Sequence, residues 1–338
     1  MSAFLPKAKR KVITGIAFLL FTGPLCASSL YVDAQSELKQ QFDSISTANQ
    51  KHYQDQLQRS RSYWSKNKQD TLRYATHYTD DLQTRTVEDY QDNIVEIETL
   101  ISSPSSQQVH QKQVLQQVQR IEQIQKSDDI ITETIDSSDR KVLKTRITPK
   151  QQYWDNKAAD YFDDIERSAK YWGVPPSLIL AIIYHESRFN PNAVSHAPAF
   201  GLMQIMENSA AADVSNFYLK GQKISTEALM NPTLNIEVGS AYLHLLTNQY
   251  LKGIESQHSR ELIAIAAYNA GIGAVAKHFT KTTSLQKLAE TVNKKEFKEL
   301  YVSLTKHFPF SETRKYVFNV VEQEDYYRKF LKDGHQRK

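Results

Sequence analysis

Pro175-Pro176-Ser177-Leu178-Ile179-Leu180-Ala181-Ile182-Ile183-Tyr184-His185-Glu186-Ser187 is a run of apolar residues that ends on a carboxylate. The two prolines suit a helix start, because proline lacks an N–H that the first turn leaves unpaired anyway. Asn190-Pro191 marks the far end, since a residue before proline disfavours the α region. The helix between is apolar nearly all round, the pattern of a buried helix. Glu186 falls three, four and seven positions after Ile183, Ile182 and Ile179 and so shares their face. Desolvation there raises a carboxyl pKa, and such a group can hold a proton near neutral pH and deliver it to a leaving oxygen. Two plainer readings stand beside this one: a solvated helix-end Glu, or a buried carboxylate paired with Arg188. A zinc helix fits less well, because Phe189 stands where the second histidine of a His-Glu-x-x-His motif belongs. Cys26 is the only cysteine, so a cysteine-based metal cluster is excluded.

The segments that follow form an ordered series. Glu186-Ser187-Arg188-Phe189-Asn190-Pro191 leads to Ala193-Val194-Ser195, then to Gly201-Leu202-Met203-Gln204-Ile205-Met206. Next come Asn235-Ile236 with Gly239 and Ala241-Tyr242-Leu243, then Ala267-Tyr268-Asn269-Ala270-Gly271, and finally Ser311-Glu312-Thr313-Arg314-Lys315-Tyr316-Val317. This series resembles the lytic transglycosylase family with a goose-lysozyme-like catalytic domain, over about residues 153 to 330. Leu251-Lys252-Gly253-Ile254, Ser259-Arg260 and Leu304-Thr305 look like a membrane-bound branch of it. Tyr78 to Thr99, with Gln83-Thr84-Arg85, carries a fainter likeness upstream.

The resemblance implies a catalytic role for Glu186 and sugar-binding roles for Ser195, Gln204, Met206, Tyr242, Tyr268, Asn269 and Tyr316. Each has a plainer reading too. Gln204 offers an amide to a sugar N-acetyl group, or is a polar helix-end residue. Ser195 orients the Glu186 carboxyl, or stabilises a turn. Met206 lines a sugar cleft, or fills core. Tyr268 and Tyr316 read otherwise as packed aromatics, and Phe200 joins Tyr242 as a candidate lining residue. Glu207, which follows Gln204 at three positions, reads as surface. A hydrolase would need a second carboxylate, for which Glu207 and Asp213 are the candidates. The family likeness implies no metal and no organic cofactor. It implies peptidoglycan glycan strands as substrate, cut between N-acetylmuramic acid and N-acetylglucosamine with closure of a 1,6-anhydro ring. A non-catalytic wall-binding protein is the rival from another class.

The 338 residues, 40% hydrophobic, suffice for two domains. A net charge of +4 with scattered basic residues does not suggest nucleic acid. Lys7, Lys9, Arg10 and Lys11 precede an apolar stretch, Val12 to Phe21, too short to span a bilayer, as in an export signal. Residues 1–29 are expected to be that signal and the mature chain to be periplasmic. Lipidation of Cys26 would instead anchor it to the outer membrane; Leu25, where a small residue is usual, weighs against this. No glycine lies between Gly23 and Gly173, whereas eight of the ten fall at or after Gly173. Residues 30–150 therefore read as a separate α+β domain: a helical start, a hairpin formed by Thr84–Tyr90 and Ile94–Ile101, then a helix carrying Val114, Leu115, Val118, Ile121 and Ile124. A disordered, glutamine-rich spacer competes with that reading. Residues 151–338 read as the catalytic domain, mainly α and lysozyme-like, opening with one amphipathic helix from Trp154 to Trp172 that stops at Gly173. The whole is expected to be α+β.

Overall fold

The computed structural model describes residues 58–59, 64, 74–79, 81–89, 94–120, 130–137, 140–149, 151–195 and 197–335. The export signal, Cys26 and most of the expected helical start lie outside these residues. Residues 1–45 lie outside them as well; all that follows belongs to the unit Ser46–Lys338.

Five antiparallel strands come first: β1 (Tyr74–Tyr78), β2 (Thr84–Asp89), β3 (Ile94–Leu100), β4 (Ile130–Ser137) and β5 (Arg140–Ile147), in the order β1-β2-β3-β5-β4. β2 and β3 occupy the two runs read as a hairpin, with Arg85 opposite Glu98 and Val87 opposite Glu96. Opposed residues share a face, so Val95, Ile97 and Ile147 form one apolar side while Arg85, Glu96, Glu98 and Lys144 form a charged one. Cross-strand ion pairs stitch that charged side, among them Arg85 Nε to Glu98 at 2.5 Å and Lys144 Nζ to Glu96 at 2.7 Å. Helix α1 (Ser106–Arg120) lies on the other side, where buried His110 bridges the Thr99 and Thr145 hydroxyls at 2.9 Å each.

The rest is helical. The expected single helix from Trp154 to Trp172 is two: α2 (Gln151–Ala159) and α3 (Phe162–Trp172). Tight i→i−3 bonds from the Asp160 and Tyr161 amides make the break. Tyr161 then stacks on Phe189 at 6.5 Å. Gly173 ends α3 at φ 66°, the left-handed cap expected of it. Helix α4 (Pro176–Ser187) follows, with Pro176 in its first turn and Leu178 to Ile183 wholly buried.

Two short strands, β6 (Ala199–Phe200) and β7 (Ile205–Met206), pair antiparallel. A π-helical turn, Glu207–Ala211, leads into α5 (Ala212–Tyr218), α6 (Thr226–Leu229) and α7 (Pro232–Leu245). Then come α8 (Gln257–Ala270), α9 (Ile272–Thr280), α10 (Leu285–Val292), α11 (Phe297–Val302) and the long α12 (Ser311–His335). Val95, Ile97 and Ile147 of the sheet belong to the same apolar core as α4, α7 and α8. Tyr153 and Lys157 of α2 both donate to buried Glu88 of β2. Among the described residues no single helix is long and apolar enough to cross a membrane.

Candidate active site

Helix α4 ends abruptly beneath Glu186. Arg188 (φ 51°) and Phe189 (φ 61°) are consecutive left-handed residues without being glycine, which costs on the order of 1 kcal/mol or more each. Packing holds them there. Phe189 is buried against Tyr161, and the Arg188 guanidinium lies 3.6 Å from the Tyr184 ring centroid. Arg188 therefore serves as a lid on aromatic rings rather than as a partner for Glu186.

The Glu186 carboxylate is half-buried and accepts a hydrogen bond from the Tyr316 hydroxyl of α12 at 2.7 Å. Burial raises its pKa, the Tyr316 bond pulls it back, and the nearby charge of Glu312 raises it again, leaving it at about 7. The carboxyl is thus divided between acid and base near neutral pH. Tyr268 and Tyr316 are pushed well above their ordinary values by burial and by the Glu186 charge, so both stay neutral. Glu186, Tyr268 and Tyr316 accordingly form one group, drawn from α4, α8 and α12.

The loop between β6 and β7 is fixed from three helices. Ser187 of α4 donates to the Leu202 carbonyl at 2.7 Å, and Tyr268 of α8 donates to the Met203 carbonyl at 2.7 Å. Asn235 of α7 accepts from the Met203 amide at 2.7 Å and donates to the Phe200 and Leu229 carbonyls at 2.7 and 2.8 Å. Gly201 sits so close that a Cβ there would be 2.5 Å from Asn235 Nδ2 and 2.6 Å from the Leu229 carbonyl, with φ 72° besides. Gln204 closes the loop in a left-handed conformation (φ 48°). Its Nε2 is spent on the Ala193 and Gly201 carbonyls, while its buried Oε1 has no partner. The side chain is thus an anchored acceptor rather than a free amide.

The remaining candidates divide. Ser195 accepts from the Ala199 amide at 3.2 Å, as a turn residue does, and makes no hydrogen bond to Glu186. Asn269 accepts from Thr313 at 2.7 Å, tying α8 to the start of α12. Tyr242 is buried and packs on Tyr268 with ring centroids 5.6 Å apart. Met206 is 40% exposed at the edge of β7, too open for core filling. Phe200 is half-buried on β6. Glu207 is paired with Lys223 at 2.5 Å, and Asp213 lies near the Tyr250 and Tyr242 hydroxyls, whose pKa values are raised first by burial and then by its charge. Neither of the two carboxylates proposed for a hydrolase is bonded to Glu186.

Sequence reasoning overlooked the positioning roles of Ser187 and Asn235, and the charge of Glu312. Glu312 had a signal, since it precedes Tyr316 by one helical turn. Among the described residues no three His, Cys, Asp or Glu side chains converge as a metal ion would require. A cavity of about 200 Å³ lies at the opposite end of α4 from Glu186, lined by Pro175, Leu178, Asn248 and Arg260 among others.

Residues 163–290 match the family described as the Transglycosylase SLT domain. The chain is 37% identical over 190 residues to the membrane-bound lytic murein transglycosylase C of Salmonella typhi, which covers 56% of this chain and 52% of that protein. It is 36% identical over 198 residues to the protein of the same name from Sodalis glossinidius, covering 55% of each. The chain thus spans about half the length of these curated relatives. Among solved structures, the 70 kDa soluble lytic transglycosylase of Escherichia coli is similar over 51% of this chain and 24% of its own, at 30% identity and a TM-score of 0.40. An inactive mutant of lytic transglycosylase Slt from Pseudomonas aeruginosa is similar over 50% and 24%, at 31% identity and a TM-score of 0.37. The resemblance read from the motif series, including its membrane-bound branch, is present in the family match and in the curated relatives.

Proposed function

We propose that the chain is a peptidoglycan lytic transglycosylase that cuts the β-1,4 bond between N-acetylmuramic acid and N-acetylglucosamine, with Glu186 as acid and then base. The observation that carries the reading is a carboxyl poised at about pH 7 and held by Tyr316. Protonated Glu186 gives its proton to the glycosidic oxygen as the C–O bond breaks. The substrate's own N-acetyl group supports the positive charge growing at the anomeric carbon. Ionised Glu186 then takes the proton of the muramyl C6 hydroxyl, whose oxygen attacks that carbon and closes the 1,6-anhydro ring. Acid and base balance on one residue, and no water is consumed.

The site's electrostatics suit this cycle. A pKa near the working pH lets one group give and take a proton with similar ease. A water-using hydrolase would need a second carboxylate placed for it; Glu207 is paired with Lys223, and the hydrogen-bond partner of Glu186 is Tyr316 rather than Glu207 or Asp213. Gln204 Oε1 offers an acceptor for a sugar N–H or hydroxyl, and Tyr242, Tyr268, Asn269, Met206, Ser195 and Tyr316 line or brace the sugar site. Within this reading residues 151–338 carry the catalysis, and residues 30–150 are a division of role rather than of core, since their sheet shares its apolar core with the helices. The names of the relatives favour an envelope location. Export by residues 1–29 places the chain in the periplasm, with Cys26 lipidation as the alternative. Digestion of purified sacculi tests the reading: Glu186→Gln should lower turnover by a factor on the order of 10³ or more while the protein stays folded. Undiminished turnover removes Glu186 from the chemistry.

A further inference from the structure

Helices α4 and α12 lie against each other, tied by Glu186 to Tyr316 at one end and by Ser177 to Glu324 at the other. Four buried side-chain atoms at this junction have no hydrogen-bond partner: His185 Nε2, Arg188 Nη1, Gln323 Nε2 and the Tyr327 hydroxyl. Three of these residues gather round one ring. The Arg188 guanidinium lies 3.6 Å from the Tyr184 centroid, the His185 ring 5.1 Å and the Tyr327 ring 6.3 Å. Gln323 precedes Tyr327 by one turn of α12 and shares its face. Tyr327 is fully buried, so its hydroxyl has no recourse to bulk water. Leaving a buried donor unpaired is costly, and four at one junction call for an occupant.

The chemistry of the four atoms identifies that occupant. Each belongs to a group that can donate, and Arg188 adds a full positive charge. Burial and the Arg188 charge hold His185 neutral, which leaves it one N–H to give. No carboxylate answers the guanidinium. Glu186 is bonded to Tyr316, and Asp155 of α2 accepts from Tyr326 at 2.6 Å and from Gln151 at 3.1 Å. Among the described residues Arg188 forms no ion pair. The faces of Tyr184 and Trp154 offset its charge only in part. A water molecule would satisfy donors and leave the buried charge unbalanced; an anion does both. The Tyr184, Phe189 and Tyr327 rings, packed with centroids 6.3 to 6.5 Å apart, restrict the occupant to very few atoms.

We infer that a small monovalent anion, of chloride size, binds among Arg188, Tyr327, Gln323 and His185. By holding Arg188 it fixes the left-handed turn that follows Glu186 and completes the end of α4. The ion takes no part in proton transfer, and its presence does not depend on the glycan-cleaving reading.

The test uses the full chain, with Tyr327→Phe, which removes only the hydroxyl, and Arg188→Met, which keeps most of the stem. Exchanging chloride for the bulkier isethionate at constant ionic strength should lower the melting midpoint of the parent by about 2 to 4 °C. Chloride should restore the midpoint saturably, and bromide should replace it. Tyr327→Phe should lose most of that response and Arg188→Met all of it. The parent should also broaden the chloride-35 magnetic resonance line, and the variants should not. A parent that neither responds to chloride nor broadens the line holds water alone, which overturns the site. A chloride response of equal size in parent and Tyr327→Phe would place the anion elsewhere on the protein and overturn it too. Should Arg188→Met fail to fold, Tyr327→Phe and the line width decide the matter by themselves.

Discussion

Glu186 holds its proton against the ordinary preference of a carboxyl, and the protein loses stability in exchange. Its folded pKa of about 7 lies above the unfolded value near 4.5, so the folded state binds more protons between those values. Stability therefore falls as pH rises through that window, by about 3 kcal/mol when it is complete. Gln mimics the protonated acid, so Glu186→Gln should match the parent in thermal melts at pH 4 and exceed it by that amount at pH 8. Equal melts at both values would mean that the carboxyl is not desolvated. Tyr316→Phe removes the one bond that lowers this pKa. The basic limb of the pH–rate profile should then move to higher pH while turnover at neutral pH drops about tenfold or more; a move to lower pH would contradict the hydrogen bond's role. Burial of Glu186 was legible from its spacing against Ile179, Ile182 and Ile183. Its partner was not, because Tyr316 lies 130 residues away and only the family likeness placed it near.

The loop from Ala199 to Met206 depends on contacts at atomic distance. Replacing Gly201 by Ala would force a Cβ against Asn235 and the Leu229 carbonyl in a left-handed backbone. This should cost about 2 to 4 kcal/mol, read as a lower denaturation midpoint together with lost turnover. A neutral Gly201→Ala would mean that the loop is looser than its three tethers indicate. The sequence marks this segment only by Gly201 and the nearby motif residues. Its tethers are side chain to backbone bonds from Ser187, Asn235 and Tyr268, and no periodicity encodes such bonds. Helix ends suffered likewise: Gly173 announced the end of α3, but nothing comparable announced the break at Asp160-Tyr161, which arises from local turn bonds and the stacking of Tyr161 on Phe189.

Sheet and helices are joined through a shared core and through Glu88. Burial alone would raise the Glu88 pKa, but Lys157 and His77, with hydrogen bonds from Lys157 and Tyr153, bring it down to about 2. A carboxyl lowered in the folded state contributes stability that is complete above its unfolded value near 4.5 and is lost as pH falls towards 2. Glu88→Ala should thus cost about 3 kcal/mol at pH 7 and progressively less in melts taken from pH 4.5 downward. A pH-independent difference would assign the loss to packing instead. The hairpin of this region was legible because its alternation is regular and its turn short. The pairing of β3 with β5 was not, since α1 and β4 intervene in the chain and only tertiary packing brings those edges together.

The products released from glycan distinguish a transglycosylase from a hydrolase. Mass spectrometry of the soluble products released from purified sacculi, with Glu186→Gln alongside, makes that distinction most directly. Muropeptides one water lighter than their reducing forms, released by the parent chain and not by the variant, are the result expected of a single residue acting as acid and then base. Reducing-end muropeptides would show that water is consumed, and would contradict the account.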